Sequence, residues 1–155
     1  MSAPPGDRLE GRDGAASLRA AIKAMIAAVD VPVWSLHPRV DAGVVTLEGW
    51  LPTEVEVAIA AERAMLVDGV HAVQNRIVSD ERLVALARHE LKRGGLDDRV
   101  DVSSRLGAVE LRGVIPEPAL RTQILGSIAA IEGVQSVVDR LTTASGRPTL
   151  VPAAA

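Results

Sequence analysis

Apolar and polar residues alternate along two short stretches of this chain. In GVVTLEGWLP, residues 43–52, Val45, Leu47 and Leu51 alternate with polar positions, and GAVELRGVIP, residues 107–116, repeats the pattern. A period of two is typical of a strand with one buried face. Each stretch begins with a glycine, which accepts positive φ and favours a hairpin with the extended segment before it. The pattern therefore predicts two pairs of strands.

The segments around these strands follow a helical period. Thr53 can cap a helix after the first pair, and Glu56 completes the pattern of a capping box. Pro118 suits the first turn of the corresponding helix after the second pair. Amphipathic helices are also expected upstream of each pair, near Ala15–Val29 and Asp80–Arg93, and a short strand after each second helix. The predicted order of elements in each unit is therefore α-β-β-α-β.

The chain contains an internal repeat. Sliding residues 43–79 along by 64 positions matches them to the second half without a gap, and the identities are mainly glycines and apolar residues. We expect the recurring glycines to serve turns and close backbone approaches, and the last one in each copy to end the second helix. These structural glycines are Gly43, Gly49, Gly69, Gly107, Gly113 and Gly133.

The elements predict an α+β fold made of two tandem α-β-β-α-β modules. In each module, two helices are expected to pack on one face of a small three-stranded mixed sheet. We expect a disordered leader over residues 1–14, modules over 15–79 and 80–144, and a flexible tail over 145–155. Trp34 is expected at the edge of the first core.

Composition and charge narrow the class of function. The chain has no Cys, which argues against disulfide stapling, and its net charge of −3 with two Trp argues against nucleic-acid binding. No apolar stretch reaches the roughly 20 residues of a bilayer span. The N-terminus lacks a basic start followed by an apolar run, so we expect a cytoplasmic protein, or a periplasmic one if its N-terminus was trimmed.

No motif marks a catalytic, cofactor or metal site. The repeated positions are turn glycines and aliphatic residues, and no G-x-S-x-G elbow occurs, so we expect no enzymatic activity and no cofactor. The three histidines lack the i, i+4 spacing of a zinc site. Asp97, Asp98 and Asp101 gather three carboxylates, but their spacing differs from that of an EF-hand loop and favours a solvated turn. We therefore expect no metal.

The repeated phrase resembles a known family. G-x-V-x-L-x-G-x-[LI]-P, followed by a helix and then by G-V-x-x-V-x-[ND]-R-[IL], is similar to the BON domain, named after bacterial osmotically inducible and nodulation proteins. The match covers about residues 15–79 and 80–144. The resemblance implies a small module, commonly in tandem, that is associated with phospholipid or membrane-surface binding in stress response or envelope maintenance. In some members it implies potassium binding.

The first helix of the second repeat, in DERLVALARHELKRGG, is the candidate lipid-binding element. Its apolar residues Leu83, Leu86, Ala87 and Leu91 are expected on one side, and its basic residues on the other side and along the flanks. Together with the resemblance, its cations predict peripheral association with anionic phospholipid, at about 1 kcal/mol for each cation near the surface. The alternative is an ordinary solvated face whose last cations complement the helix dipole. The candidate lipid-binding residues are Arg82, Arg88, His89, Lys92 and Arg93.

Two alternative functions stay open, a protein-interaction scaffold or self-assembling module and a sensor of potassium or a small ligand. Strand alternation turns Trp50 outward, where it suits an interface or is partly covered by a neighbouring segment. The second helix of the first repeat carries more apolar residues than one core face needs, at Val55, Ile59 and Leu66. These four residues are the candidate interface.

Overall fold

The computed structural model describes residues 7–29 and 31–144, and its elements follow the predicted order. They are α1 (Asp7–Ala27), a 3-10 turn (Val33–Ser35), β1 (Leu36–Asp41), β2 (Val44–Leu51), α2 (Glu54–Met65), β3 (Ala72–Ser79), α3 (Asp80–Arg93), β4 (Val100–Arg105), β5 (Ala108–Ile115), α4 (Pro118–Ala129) and β6 (Ser136–Thr143). The chain divides between Val78 and Ser79 into two compact units, called unit 1 and unit 2 below. The α+β fold of two repeated modules is confirmed.

Each unit contains a three-stranded mixed sheet whose central strand is the second in sequence. The strand orders are β1-β2-β3 and β4-β5-β6. β1 pairs antiparallel with β2, β4 pairs antiparallel with β5, and β5 pairs parallel with β6. A parallel neighbour requires a crossover, which α4 supplies in unit 2.

The core of each unit lies between its helices and one face of its sheet. Helix α1 contacts α2 and β1, and α3 contacts α4 and β4. The inward positions of the two central strands are buried as the alternation predicts, because every second side chain meets the helices. These buried strand residues are Val45, Leu47, Leu51, Val109, Leu111 and Ile115.

The helix starts follow the predicted capping chemistry. Thr53 Oγ1 accepts a hydrogen bond from the backbone N–H of Glu56 at 3.2 Å. Within the described residues the buried Glu56 Oε2 has no hydrogen-bond partner, so this oxygen does not complete the capping box. Pro118 stands in the first turn of α4, after Glu117 at the N-cap.

The first helix extends further upstream than expected. It begins at Asp7 instead of near Ala15, so residues 7–14 of the expected leader are helical. The helix continues through the exposed Gly14, because a glycine in an exposed helix costs only about 1 kcal/mol relative to alanine. Residues 1–6 of the leader and the expected tail over 145–155 lie outside the described residues.

Gly69 and Gly133 do not directly end the second helices. Helix α2 ends at Met65 and α4 at Ala129, and the glycines follow in the next turn, with φ of 94° and 96°. The cap residues that follow the helices, Leu66 and Ala130, still have right-handed helical φ and ψ. The glycines therefore serve the left-handed turn that leads into the last strand.

Trp34 does not lie at the core edge. Its side chain is 74% exposed, and the buried residue of the 3-10 turn is its neighbour Ser35. Ser35 Oγ lies 2.8 Å from the carbonyl oxygen of Pro32 and also contacts the carbonyl oxygen of Trp50. These contacts hold Ser35 inward and leave Trp34 in solvent.

Trp34 is exposed because unit 1 has one additional residue before its first strand. The buried residues Leu36 and Val100 are 64 positions apart, but the buried residues Val31 and Leu96 are 65 apart. The 3-10 turn takes up this residue. The first helices therefore align at a spacing of 65, which a single 64-residue frame misses.

Candidate functional site

The outward face of α3 forms the candidate site. Ser79 caps the helix by accepting a hydrogen bond from the backbone N–H of Arg82 at 3.0 Å. The helix buries Leu83, Ala87 and Leu91 against the rest of unit 2. Helical spacing then aligns a second set of residues along another side of the helix, where the last of them, Arg93, lines a groove shared with α4. This basic row consists of Arg82, Leu86, His89 and Arg93.

All five candidate lipid-binding residues are exposed on α3, but they do not form one cluster. Arg82, His89 and Arg93 belong to the basic row, whereas Arg88 and Lys92 lie along one flank of the helix. Arg93 pairs with Glu90 at 3.4 Å. Arg82, Arg88 and Lys92 are therefore more available than Arg93 for contact with an anionic surface.

Leu86 does not lie where the sequence predicted. It was expected on the core side of the helix, yet it is 39% exposed and lies within the basic row. An exposed leucine between cations is typical of helices that lie on a membrane surface, because the leucine enters the apolar boundary while the cations meet headgroups.

Helix α1 lacks this row. At the spacing of 65, Ser17, Ala21, Ala24 and Ala28 stand where α3 has Arg82, Leu86, His89 and Arg93. The outward face of α1 is therefore small and uncharged at these positions. The two units thus differ in surface chemistry although they share a fold.

A groove runs along the flank of α3 that faces β4. Its volume is about 460 Å³, within the range of roughly 300–1,000 Å³ common for small-molecule sites. Arg88, Lys92 and also His89 of the basic row line it from the helix, and Asp97 and Asp101 line it from the following turn and strand. Within residues 7–29 and 31–144, no cluster of three or more histidines and carboxylates is arranged to hold a metal ion.

The candidate interface residues of unit 1 are dispersed. Trp50 is half-buried, whereas Val55 in α2 is 67% exposed and Leu66, the residue after the helix, is 63% exposed. Ile59 is partly buried against the core of unit 1, so it is a core residue and not a member of a surplus face. Leu66 also lines a mostly apolar groove of about 600 Å³ between α1 and the end of α2.

Asp80 is a buried charge that sequence reasoning missed. Its carboxylate accepts hydrogen bonds from Ser104 Oγ at 2.6 Å and from the backbone N–H groups of Leu106 and Gly107 at 2.7 and 3.0 Å. It thereby ties the start of α3 to the β4–β5 turn. No local pattern could reveal this contact, because the partners lie 24 to 27 residues away.

Asp139 on β6 forms the most complete surface ion pair of unit 2. Arg121 donates to it from Nε at 2.8 Å and from its terminal nitrogen, and the backbone N–H of Leu141 donates at 3.0 Å. Partial burial acts to raise the pKa of Asp139, but the Leu141 N–H and Arg121 outweigh it and hold the pKa below its ordinary value. This pair stabilises an edge strand and is not part of the α3 surface.

Within residues 7–29 and 31–144, no helix is both long and apolar enough to cross a bilayer.

Comparisons with known proteins agree with the repeat. A family model described as BON domain matches residues 14–81 and 79–145. A solved structure of CdsD, a structural protein of the type III secretion system of Chlamydia trachomatis, matches with a TM-score of 0.67 and 17% identity, covering 81% of this chain and 62% of that chain. The C-terminal domain of CdsD matches with a TM-score of 0.61 and 18% identity, covering 70% and 57%.

At these identities the structural likeness shows the fold alone. The chain also spans less than two thirds of the length of these two structures. No curated protein matches the sequence significantly.

Proposed function

This chain belongs to the BON domain family, and from that premise we propose that it is a non-catalytic protein that associates peripherally with anionic phospholipid surfaces through α3 of unit 2. The observation that carries the proposal is the basic row, in which Arg82, His89 and Arg93 surround the exposed Leu86. The role in stress response or envelope maintenance that the family implies belongs to the same proposal.

The expected affinity is modest. Each cation near an anionic surface contributes about 1 kcal/mol. Leu86 is already partly covered, so its insertion adds only about 1 kcal/mol of the roughly 1.5–3 kcal/mol that a fully exposed leucine would give. Arg82, Arg93 and Leu86 together give about 3 kcal/mol, which corresponds to a dissociation constant of roughly 10 mM. Binding by one chain should therefore be weak, reversible and sensitive to salt.

Vesicle flotation tests the proposal. The parent is expected to float with vesicles of phosphatidylglycerol and not with neutral phosphatidylcholine. The variant Arg82→Gln/His89→Gln/Arg93→Gln should lose most of this binding, because exposed substitutions there remove charge without packing.

A matched control removes cations from the equivalent helix of unit 1. Arg19→Gln/Lys23→Gln changes two exposed cations on α1, where the basic row is absent, and should float like the parent. Equal flotation of the basic-row variant and the parent, or flotation that high salt leaves unchanged, would exclude α3 as the contact.

Self-association is a second candidate function, supported by the exposed Val55 in α2 and the exposed Leu66 after this helix. Leu66 lines an apolar groove, and exposed aliphatic residues are typical of contacts between chains. The structural neighbours are described as structural proteins of a secretion system, which fits a role in assembly. Light scattering should show an oligomer that Val55→Gln/Leu66→Gln converts to a monomer. A monomeric parent at high concentration would refute this candidate.

A further inference from the structure

The groove between α3 and β4 has an apolar floor and charged walls. Leu91, Val100 and Val102 line its floor and are buried, so they belong to the core of unit 2 and hold the groove in a fixed shape. A rigid, concave surface of this kind loses little conformational entropy when a small molecule binds. The charges above the floor decide which molecule fits.

The two walls carry opposite charge. Arg88 and Lys92, one helical turn apart, form the helix wall, and Asp97 and Asp101 form the wall opposite. Among the described residues, none of these four side chains makes an ion pair or a hydrogen bond, although all four line one groove. The positive and negative groups therefore stand apart, with open space between them.

We propose that this groove binds a small zwitterion that combines a phosphate ester with a primary ammonium group, as phosphoethanolamine does. Arg88 and Lys92 would hold the phosphate, because guanidinium and ammonium donors form strong charge-assisted hydrogen bonds with phosphate oxygens. Asp97 and Asp101 would accept the N–H groups of the ammonium. A ligand with one sign of charge satisfies one wall and is repelled by the other, whereas a zwitterion satisfies both walls.

Unit 1 lacks this set of charges. At the equivalent positions it has Lys23, Ala27, Pro32 and His37, so three of the four charges have no counterpart there. The groove chemistry therefore belongs to unit 2. This inference does not rest on the membrane contact of the basic row, because a soluble ligand tests it.

The test is a titration of the isotopically labelled full chain with phosphoethanolamine, followed by NMR. Shifts should cluster on the second half of α3 and on β4. Arg88→Gln/Lys92→Gln and Asp97→Asn/Asp101→Asn should each weaken binding by roughly tenfold or more, since each removes charge-assisted hydrogen bonds. The control, Arg105→Gln, removes an exposed cation at the end of β4 outside the groove lining and should bind like the parent.

Separate probes distinguish the ligand chemistry. Inorganic phosphate alone and ethanolamine alone should each bind at least about tenfold more weakly than phosphoethanolamine, and phosphocholine, whose ammonium has no N–H, should also bind more weakly. Competition by phosphatidylethanolamine vesicles would identify a lipid headgroup as the source of the ligand, and its absence a free metabolite. Inorganic phosphate that binds as tightly as phosphoethanolamine, or no groove shifts at millimolar ligand, would overturn the proposal.

Discussion

Replacing Gly49 or Gly113 by valine should destabilise the unit that contains it. Gly49 pairs with Leu36 on β1, and Gly113 pairs with Val100 on β4. A Cβ at either position would stand 2.1 Å from a backbone carbonyl oxygen of the neighbouring segment. Backbone cannot move aside as a flexible side chain can, so the strands must separate.

The size of the effect follows from two contributions. The φ angles are 130° for Gly49 and 153° for Gly113, a region that costs a residue with a Cβ about 1–3 kcal/mol. Separating the strands weakens at least one ladder hydrogen bond, at about 1 kcal/mol. The sum is a loss of about 2–4 kcal/mol in the free energy of unfolding, a large share of the stability of a small domain.

Urea unfolding followed by circular dichroism measures this loss, and Gly126→Ala is the control. Gly126 lies in α4 with no atom within 4 Å of an added Cβ, so alanine there should stabilise unit 2 by about 0.5–1 kcal/mol. The reasoning fails if Gly113→Val unfolds at the same urea concentration as the parent, or if Gly126→Ala is as harmful as Gly113→Val.

Three further substitutions test other contacts. Asp80→Ala should lower the stability of unit 2 by about 3 kcal/mol, because the buried N–H groups of the β4–β5 turn lose their acceptor. If the variant unfolds at the same urea concentration as the parent, Asp80 does not have this role. The pKa of Asp139 is lower in the folded state than its value near 3.8 in the unfolded state, so its ion pair stabilises unit 2 above pH 3.8. This stability is lost as the pH falls through the folded-state pKa. Asp139→Asn should therefore make the free energy of unfolding less dependent on pH below about pH 5. Ala42 has φ of 49° in the β1–β2 turn, a conformation that Asn adopts more readily than Ala. Ala42→Asn should therefore stabilise unit 1 by roughly 1 kcal/mol, measured as a higher melting temperature.

The repeat made most of the fold predictable. Alternation at Val45 and Leu47 identified the buried strand face, and the second copy at Val109 and Leu111 repeated the same evidence. Local chemistry also identified the start of α2 at Thr53. These predictions succeeded because periodicity and caps depend on neighbours in sequence.

The failures have a different cause. Trp34 was misplaced because one additional residue shifts the register before β1, and only the three-dimensional turn reveals where it is taken up. Asp80 was missed because its partners are distant in sequence. The candidate site was foreseen as a set of cations, but its division into the basic row and the groove, and the place of Leu86, depend on how α3 is rotated against the core.

A single fluorescent label tests the central claim, that α3 of unit 2 contacts anionic membrane surfaces, most directly. The chain contains no cysteine, so Leu86→Cys gives one site for an environment-sensitive dye, and Ala21→Cys places the same dye at the equivalent position of α1. With phosphatidylglycerol vesicles, the account predicts a blue shift at position 86 that salt reverses, and none at position 21. No shift at position 86, or equal shifts at both positions, would contradict it.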